Sequence, residues 1–328
     1  MKAFEYVSPG TAELAVKALD GVDAAALSGG TDLLSRMKDE VSSPKRVVYL
    51  KEIKALAGIS GEPKSGLTIG AGTTLADLLA NKAIKESYPA IWQAASEVGT
   101  PQIKNMATIG GNILQRPRCW YYRSGFGLLP VKDGKNLLRE GDNRYASIFH
   151  TEGDALFAAP SSLAVPLIAL NATATILGSK GERTVPVASL YQIPKKADDR
   201  ELTIGAGEVL TKITVPTPKG KNASYEARQK QAHDWPLVLA SVNLLIGDGR
   251  VGQATIVIGG VAPVPFRATQ AEQAMIGKQI TPETAAAVAA AAIAGAKPLS
   301  GNVYKLALTK TVVKRAILAA VGNRYWEA

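Results

Sequence analysis

The sequence predicts an α+β protein in three parts: a small α/β lobe, a larger lobe of strands and helices, and a C-terminal sheet covered by helices. Three observations predict it. Two Gly-Gly segments, Ser28-Gly29-Gly30-Thr31-Asp32 and Thr108-Ile109-Gly110-Gly111-Asn112, each lie between an apolar run and a helix or turn. Short strand and helix patterns alternate over the first 55 residues. Two long apolar runs, 237–247 and 250–260, are separated by Asp248-Gly249, a dipeptide that favours a two-residue hairpin.

In chain order, Phe4-Glu5-Tyr6 begins a short element and a helix follows over about 11–19. Residues 24–27 read as a short buried strand, the first Gly-Gly turn comes next, 33–38 give one or two helical turns, and Val47-Val48-Tyr49-Leu50 closes the unit. From about 56 the pattern changes to strand and turn over 66–72, with Thr73-Thr74 capping a helix over 75–80. A second helix over 85–98 carries Ile91, Ala94, Ala95 and Val98 at helical spacing and stops at Gly99-Thr100-Pro101.

Residues 115–160 hold basic side chains and the aromatics Trp120, Tyr121, Tyr122, Phe126, Tyr145 and Phe149 with little periodicity. They read as an extended, partly buried loop, the alternative being a surface excursion anchored by its aromatics. A helix near 162–169 and strands at 172–177, 184–187 and 209–215 follow, and the run from Pro216 to Gly220 has the composition of a linker. After the hairpin, Pro263-Val264-Pro265 leads into helices near 268–276, 282–295 and 305–321. The Ala-rich 282–295 segment reads as a packed helix without chemistry.

With 328 residues, 46% of them apolar, the chain can bury sizeable cores. No apolar stretch reaches the roughly 18 residues that span a bilayer, and the N-terminus lacks the apolar core of a signal peptide. The expected compartment is therefore the cytoplasm, with periplasmic export left open if a signal-bearing partner carries the chain. A single cysteine, Cys119, excludes an internal disulfide framework and any four-cysteine metal or iron–sulfur site within one chain. Two histidines, His150 and His233, with no metal-ligand spacing, make a zinc site improbable, so chemistry must come from a bound cofactor. The net charge of +10 is spread along the chain, with small clusters at Arg116-Arg118-Arg123, Lys195-Lys196 and Lys219-Lys221. No nucleic-acid-binding pattern accompanies it. A cofactor phosphate and an acidic protein partner explain the charge at least as well.

The Gly-Gly segments are the candidate site. Paired glycines flanked by Ser or Thr let backbone N–H groups and hydroxyls converge on an anion, and the first pair precedes a helix, where a pyrophosphate is favoured. Two ordinary tight turns, with Asp32 as a helix cap, remain the other reading. Neither segment has the spacing of a Rossmann or P-loop motif.

Taken together, these residues resemble the FAD-binding subunit or domain of the xanthine oxidase (molybdenum hydroxylase) family, close to the bacterial medium subunits of aldehyde and carbon monoxide dehydrogenases. The resemblance runs end to end. It is carried by Ser28-Gly29-Gly30-Thr31-Asp32-Leu33 with Met37-Lys38, by Ile69-Gly70-Ala71-Gly72-Thr73-Thr74, by the long stretch from Pro101 to Asn112, by Gly259-Gly260-Val261-Ala262-Pro263, and by Tyr304-Lys305 with the helix after it. It implies a two-lobed FAD-binding fold of the vanillyl-alcohol-oxidase (PCMH) type: a small lobe over 1–55, a larger lobe over 56–216 with the extended loop 115–160, and a C-terminal domain over 217–328.

By the same resemblance, Ala26, Leu27, Ser28, Gly29, Gly30, Thr31, Asp32 and Leu33 would wrap the pyrophosphate of FAD. Thr108, Ile109, Gly110, Gly111 and Asn112 would approach the pyrophosphate and ribityl chain, and Leu210 would pack near the flavin ring. The stretch Tyr225-Glu226-Ala227-Arg228 through Asp234-Trp235 resembles the carbon monoxide dehydrogenase branch and carries no specific contact. Two departures stand out. The segment Gln115-Arg116-Pro117-Arg118-Cys119-Trp120-Tyr121 resembles a branch in which four cysteines hold a [4Fe–4S] cluster, but only Cys119 is present, so no such cluster is expected here. At Ser162, relatives often carry Asp near the flavin.

The implied role is that of a flavoprotein subunit of an oxidoreductase complex. A molybdenum-cofactor large subunit would hydroxylate an aldehyde or heterocycle, and a small subunit with two [2Fe–2S] clusters would carry the electrons. This chain would pass them to NAD, a quinone or O₂ through FAD, as part of a heterotrimer. No catalytic side chain and no metal ligand of its own is required. The competing readings are a free-standing FAD-dependent oxidase using Tyr121, Tyr122 or His233, and a flavin-less structural subunit.

Overall fold

The computed structural model describes residues 1–230 and 233–327. The first sheet is parallel, with Arg46–Tyr49 between Glu5–Val7 and Ala24–Leu27. The helices Ala12–Leu19 and Leu33–Lys38 make its crossovers. Thr11 caps the first of these, its hydroxyl accepting from the Leu14 N–H, and Ala15, Val16 and Leu19 recur at helical spacing on the buried face. That face packs on Val48, Ile53, Leu56 and Val209, so the helix joins the first sheet to the second. The strand Ala24–Leu27 is half-buried, with Ala26 exposed, rather than buried as its composition suggests. It is an edge strand whose residues line the cleft described below.

The second sheet is antiparallel and five-stranded, in the order Ile59–Glu62, Gly66–Gly70, Val209–Val215, Thr173–Gly178, Gly181–Pro186. The last strand before the linker positions, Val209–Val215, thus returns to pair with Gly66–Gly70 on one side and Thr173–Gly178 on the other, a register that brings Ile213 opposite Ile69 and Ala174. Leu67, Ile69, Ile213 and Val215 pack against Leu75, Ile84, Tyr88 and Ile91. The helix expected over 85–98 is two helices, Lys82–Ser87 and Pro89–Ser96. Proline disfavours helical backbone at the residue before it and has no N–H to continue the ladder, so the chain breaks at Tyr88 and Pro89 starts the next helix.

The third sheet holds Lys221–Ala227, Val238–Gly247, Arg250–Gly259 and Phe266–Arg267, all antiparallel. Asp248 and Gly249, at φ 50° and 71°, make the hairpin turn that their identities predict. Thr269–Met275, Pro282–Ala291 and Tyr304–Ala320 cover one face, with Val288, Val312, Val313 and Ile317 in the core. The Ala-rich helix ends four residues sooner than expected, in turns that reach Gly295 at φ 79°. Hydrogen bonds fasten this sheet to the second lobe: Asn222 Oδ1 accepts from the Ala90 N–H at 3.0 Å, and Ser224 Oγ donates to the Ala90 carbonyl at 2.8 Å.

Residues 115–160 are more structured than a loop. They contain the short helices Trp120–Arg123 and Leu137–Glu140 and a small hairpin, Val131–Lys132 with Lys135–Asn136. Elements this short carry almost no periodic signal. Lys305 pins the segment: its side chain is buried, and Nζ donates to the carbonyls of Tyr145, Ala146 and Gly260 at 3.1, 2.9 and 2.7 Å. Among the described residues no helix is long and apolar enough to cross a membrane.

Candidate functional site

A cleft of about 390 Å³ opens between the first two sheets. The whole stretch from Ala26 to Leu33 lines it, together with Thr108, Gly110, Gly111 and Leu210. The structure thus brings both Gly-Gly segments and the carried-over leucine to one place. Ser28 Oγ and Thr108 Oγ1 lie 3.0 Å apart, a hydroxyl pair that joins the segments across 80 residues of sequence.

The two segments differ in what their backbones do. Among the described residues, no protein group accepts from the N–H of Gly29, Gly30, Thr31, Asp32 or Leu33. Five successive donors without acceptors, at a turn that runs into Leu33–Lys38, form a nest for an anion. In the second segment the donors are taken. Ile109 donates to the Thr73 carbonyl and Gly110 to the Ala71 carbonyl, both at 2.9 Å, and Gly111 donates to the Thr108 hydroxyl at 3.1 Å. Thr108 is the N-cap of Ile109–Ile113, so this segment is the start of a short helix rather than a free turn.

The glycines follow the same division. A Cβ on Gly29 would sit 2.0 Å from the Met106 carbonyl oxygen, and one on Gly110 would sit 2.8 Å from that of Ala71. Both glycines allow one backbone to pass another. Gly30 is at φ 75°, where an L side chain is strained. Gly111 is different, because it is exposed and a Cβ there would meet only the Thr108 hydroxyl at 3.1 Å. Protein packing does not require glycine at 111.

Both signs of charge line the cleft: Arg36, Arg116 and Arg200 with Asp23, Asp32 and Glu208. Asp32 does not cap its helix. Instead Oδ2 accepts from Arg36 Nε at 3.2 Å and from the Arg116 N–H at 3.1 Å, and Oδ1 accepts from Arg123 Nη2 at 2.7 Å, with Arg118 Nη2 at 3.2 Å. Burial works against its ionisation, but Arg118, Arg36 and Arg123 outweigh it and hold the carboxyl below its ordinary value. Arg116 pairs with Glu201 through both Nε and Nη2. Burial, with Arg123 and Arg36 adding to it and Asp32 opposing, pulls Arg118 down to about 10. Arg36, Arg118 and Arg123 share the single carboxylate of Asp32, so this cluster keeps cationic charge. A ligand diphosphate would balance it.

The remaining candidates lie to the side of this cleft. Asn112 turns its side chain away from the nest, and its Oδ1 accepts from Ser161 Oγ at 2.9 Å and the Leu163 N–H at 3.1 Å. This fixes the turn that carries Ser162, which lines a narrower cavity of about 120 Å³ shared with Thr31, Asp32, Gly111, Asn112 and His233. The Ile109 side chain is fully buried in the second core. Tyr122 is buried between Arg116 and Arg123, and the Tyr121 hydroxyl accepts from the Asp142 N–H at 3.0 Å, so neither stands free as a catalytic group. Cys119 is half-buried, and burial pushes its thiol pKa up. Among the described residues no three His, Cys, Asp or Glu side chains gather as a metal site.

Sequence reasoning missed Arg36, Arg200, Leu202 and Ile204 as cleft residues. Nothing local marks them. Ala71 and Gly72 also line the cleft, and the run Ile69-Gly70-Ala71-Gly72 was a visible signal for them.

Comparison with known proteins gives one consistent answer. Residues 2–218 match the family model described as the FAD binding domain in molybdopterin dehydrogenase, and 223–320 match that of the CO dehydrogenase flavoprotein C-terminal domain. The chain is 30% identical to the aldehyde oxidoreductase FAD-binding subunit of Escherichia coli, over 98% of this chain and 99% of that protein. It is 28% identical to the carbon monoxide dehydrogenase medium chain of Hydrogenophaga pseudoflava, over 97% and 96% respectively. A solved structure of carbon monoxide dehydrogenase from the same organism superposes with a TM-score of 0.77 at 27% identity, covering 98% of both chains.

Proposed function

This chain belongs to the family of FAD-binding subunits of molybdopterin dehydrogenases, and from that premise we propose that it is the electron-transfer flavoprotein of a heterotrimeric aldehyde or heterocycle dehydrogenase. Its partners in this proposal are a molybdenum-cofactor large subunit and a [2Fe–2S] small subunit, and its acceptor is NAD, a quinone or O₂. A cytoplasmic site of assembly, or export with a signal-bearing partner, belongs to the same proposal.

The observation that carries the reading is the run of five unpartnered N–H groups from Gly29 to Leu33 inside a cleft lined by arginines. These residues fit FAD. The nest and Arg36 would hold the pyrophosphate, the Thr108 hydroxyl and the open face of Gly111 would lie along the chain that leads to the ring, and Leu210 would exclude water beside it. Asp32 acts indirectly, by holding the 116–123 segment against the nest through Arg118 and Arg123. FAD, when bound, supplies the redox chemistry that a chain with one thiol lacks. The protein's part is position, charge and shielding.

Two measurements test the proposal. The purified chain should retain FAD or take it up stoichiometrically, seen as visible flavin absorbance; a colourless protein after incubation with FAD would overturn the cofactor assignment. Affinity purification from the native host should return a molybdenum-cofactor subunit and a [2Fe–2S] subunit. A flavin-loaded chain that comes down alone and oxidises aldehydes by itself would favour the free-standing oxidase instead.

A further inference from the structure

Outside the cofactor cleft, the Glu226 side chain is only 5% exposed, and neither of its oxygens accepts a hydrogen bond from the described residues. It stands on Lys221–Ala227, the edge strand of the third sheet, and lines a separate cavity of about 210 Å³. Helix Pro89–Ser96 contributes Trp92 to the wall, the strand contributes Tyr225, and the C-terminal residues contribute Arg324, Trp326 and Glu327.

The other charges around this cavity are paired. Glu97, which lines it at the end of the helix, is bound by Arg228: Nη2 meets its carboxylate and Nη1 donates to its carbonyl at 3.0 Å. Glu327 pairs with Arg324 at 3.4 Å. Arg228 Nε approaches Glu226 Oε1 to 3.4 Å without donating a hydrogen bond to it. Burial, opposed by Arg228 and reinforced by Glu97 and Asp234, pushes the Glu226 carboxyl up to about 8. Protonation removes the charge but leaves a buried hydroxyl and carbonyl without partners, which is itself unfavourable.

Three features define what would satisfy this carboxylate. Among the described residues Glu226 has only Arg228 to offset its charge, and Glu97 shares that guanidinium, so the pair of carboxylates calls for one more monovalent cation. Two orphan oxygens side by side call for N–H donors, best in a planar fork. The aromatic walls favour a flat or compact organic cation over a hydrated one, although Arg315 already occupies one face of Tyr225 and Trp326, and Lys85 one face of Trp92, so only the faces toward the cavity are left. A metal ion lacks the ligands here, since no metal-binding cluster exists among the described residues. We propose that this cavity binds a small monovalent organic cation, a guanidinium or primary ammonium, with Glu226 as its counter-ion. The cavity is smaller than the roughly 300–1,000 Å³ of drug-sized sites, which restricts the ligand to a charged head with a short alkyl tail.

Calorimetry on the full FAD-loaded chain tests this with methylguanidinium, ethylammonium and, as a cation without N–H groups, tetramethylammonium. The first two should bind one per chain, methylguanidinium about tenfold tighter than tetramethylammonium, and near neutral pH binding should release a proton as Glu226 ionises. Comparison of two buffers of different ionisation enthalpy reads that proton. Glu226→Gln should weaken binding about tenfold or more and abolish the proton release while flavin content stays unchanged. Trp326→Leu should weaken binding severalfold and keep the release. Three outcomes overturn the proposal: no saturable heat with any cation, equal binding by Glu226→Gln, or binding seen only in Arg324→Ala, which would make the chain's own arginine the occupant.

Discussion

The first Gly-Gly segment presents five backbone donors to the cleft, whereas the second gives its donors to Thr73, Ala71 and Thr108. The compositions are nearly the same. The difference lies in the neighbours: the second segment starts a helix packed on the strand end at Ala71, while the first leaves a sheet edge and passes the Met106–Ala107 backbone on the side where a Gly29 side chain would stand, not on the side of its N–H. A pair of glycines therefore reports two separate needs. Gly29 and Gly110 allow chains to cross, Gly30 holds a left-handed turn, and Gly111 leaves the floor of the cleft clear.

Four substitutions should break or sharpen that contrast. The largest effect is expected for Gly29→Ala, whose Cβ would lie 2.0 Å from a backbone oxygen. It should destabilise the fold by about 3 kcal/mol or more, with or without FAD, and a melting curve like that of the wild type would show that the crossing is not tight.

Asp32→Asn comes next. It leaves Arg36, Arg118 and Arg123 without their shared carboxylate. Because those guanidinium groups are partly exposed, about 2 kcal/mol is expected rather than the full cost of breaking a buried pair. The folded carboxyl titrates below its usual 3.8, so its stabilisation is complete above that pH and is lost as the pH falls through the lower folded value. Denaturation across pH 2–5 should therefore show a steeper acid loss in the wild type than in Asp32→Asn; parallel curves would exclude the linkage.

Thr108→Val removes the helix cap and the hydroxyl pair with Ser28, at 3.1 and 3.0 Å. A cost of about 1 kcal/mol is expected from urea denaturation, no more than for other N-caps. Gly111→Val should have the smallest effect on stability, within about 1 kcal/mol, since no backbone atom opposes its Cβ. Its FAD content should nevertheless fall severalfold, because the side chain would enter the cleft. Full flavin content in a stable Gly111→Val protein would remove Gly111 from the site.

Much of this molecule is legible in its sequence where the signal is local. Asp248-Gly249 specifies its hairpin because both residues accept left-handed backbone. Thr74, Thr100, Thr108 and Thr281 cap helices because a hydroxyl three residues before an N–H can reach it. The break at Pro89 follows the same kind of rule, and the expected helix ran through it only because the apolar spacing on either side continues without a gap.

Sequence by itself determined the family, the glycines at both segments and the apolar strand of Leu210, since each depends on residue types at short, fixed spacing. Tertiary structure alone decided which glycine serves packing and which leaves room for a ligand, which N–H groups remain free, and why Asp32 matters. The acceptors and charges that settle those questions come from distant chain: Asp32 meets the Arg116 N–H across 84 residues and Arg123 across 91. A backbone donor looks the same in any sequence, and only the arrival of a carbonyl within 3 Å tells whether it is left for a ligand.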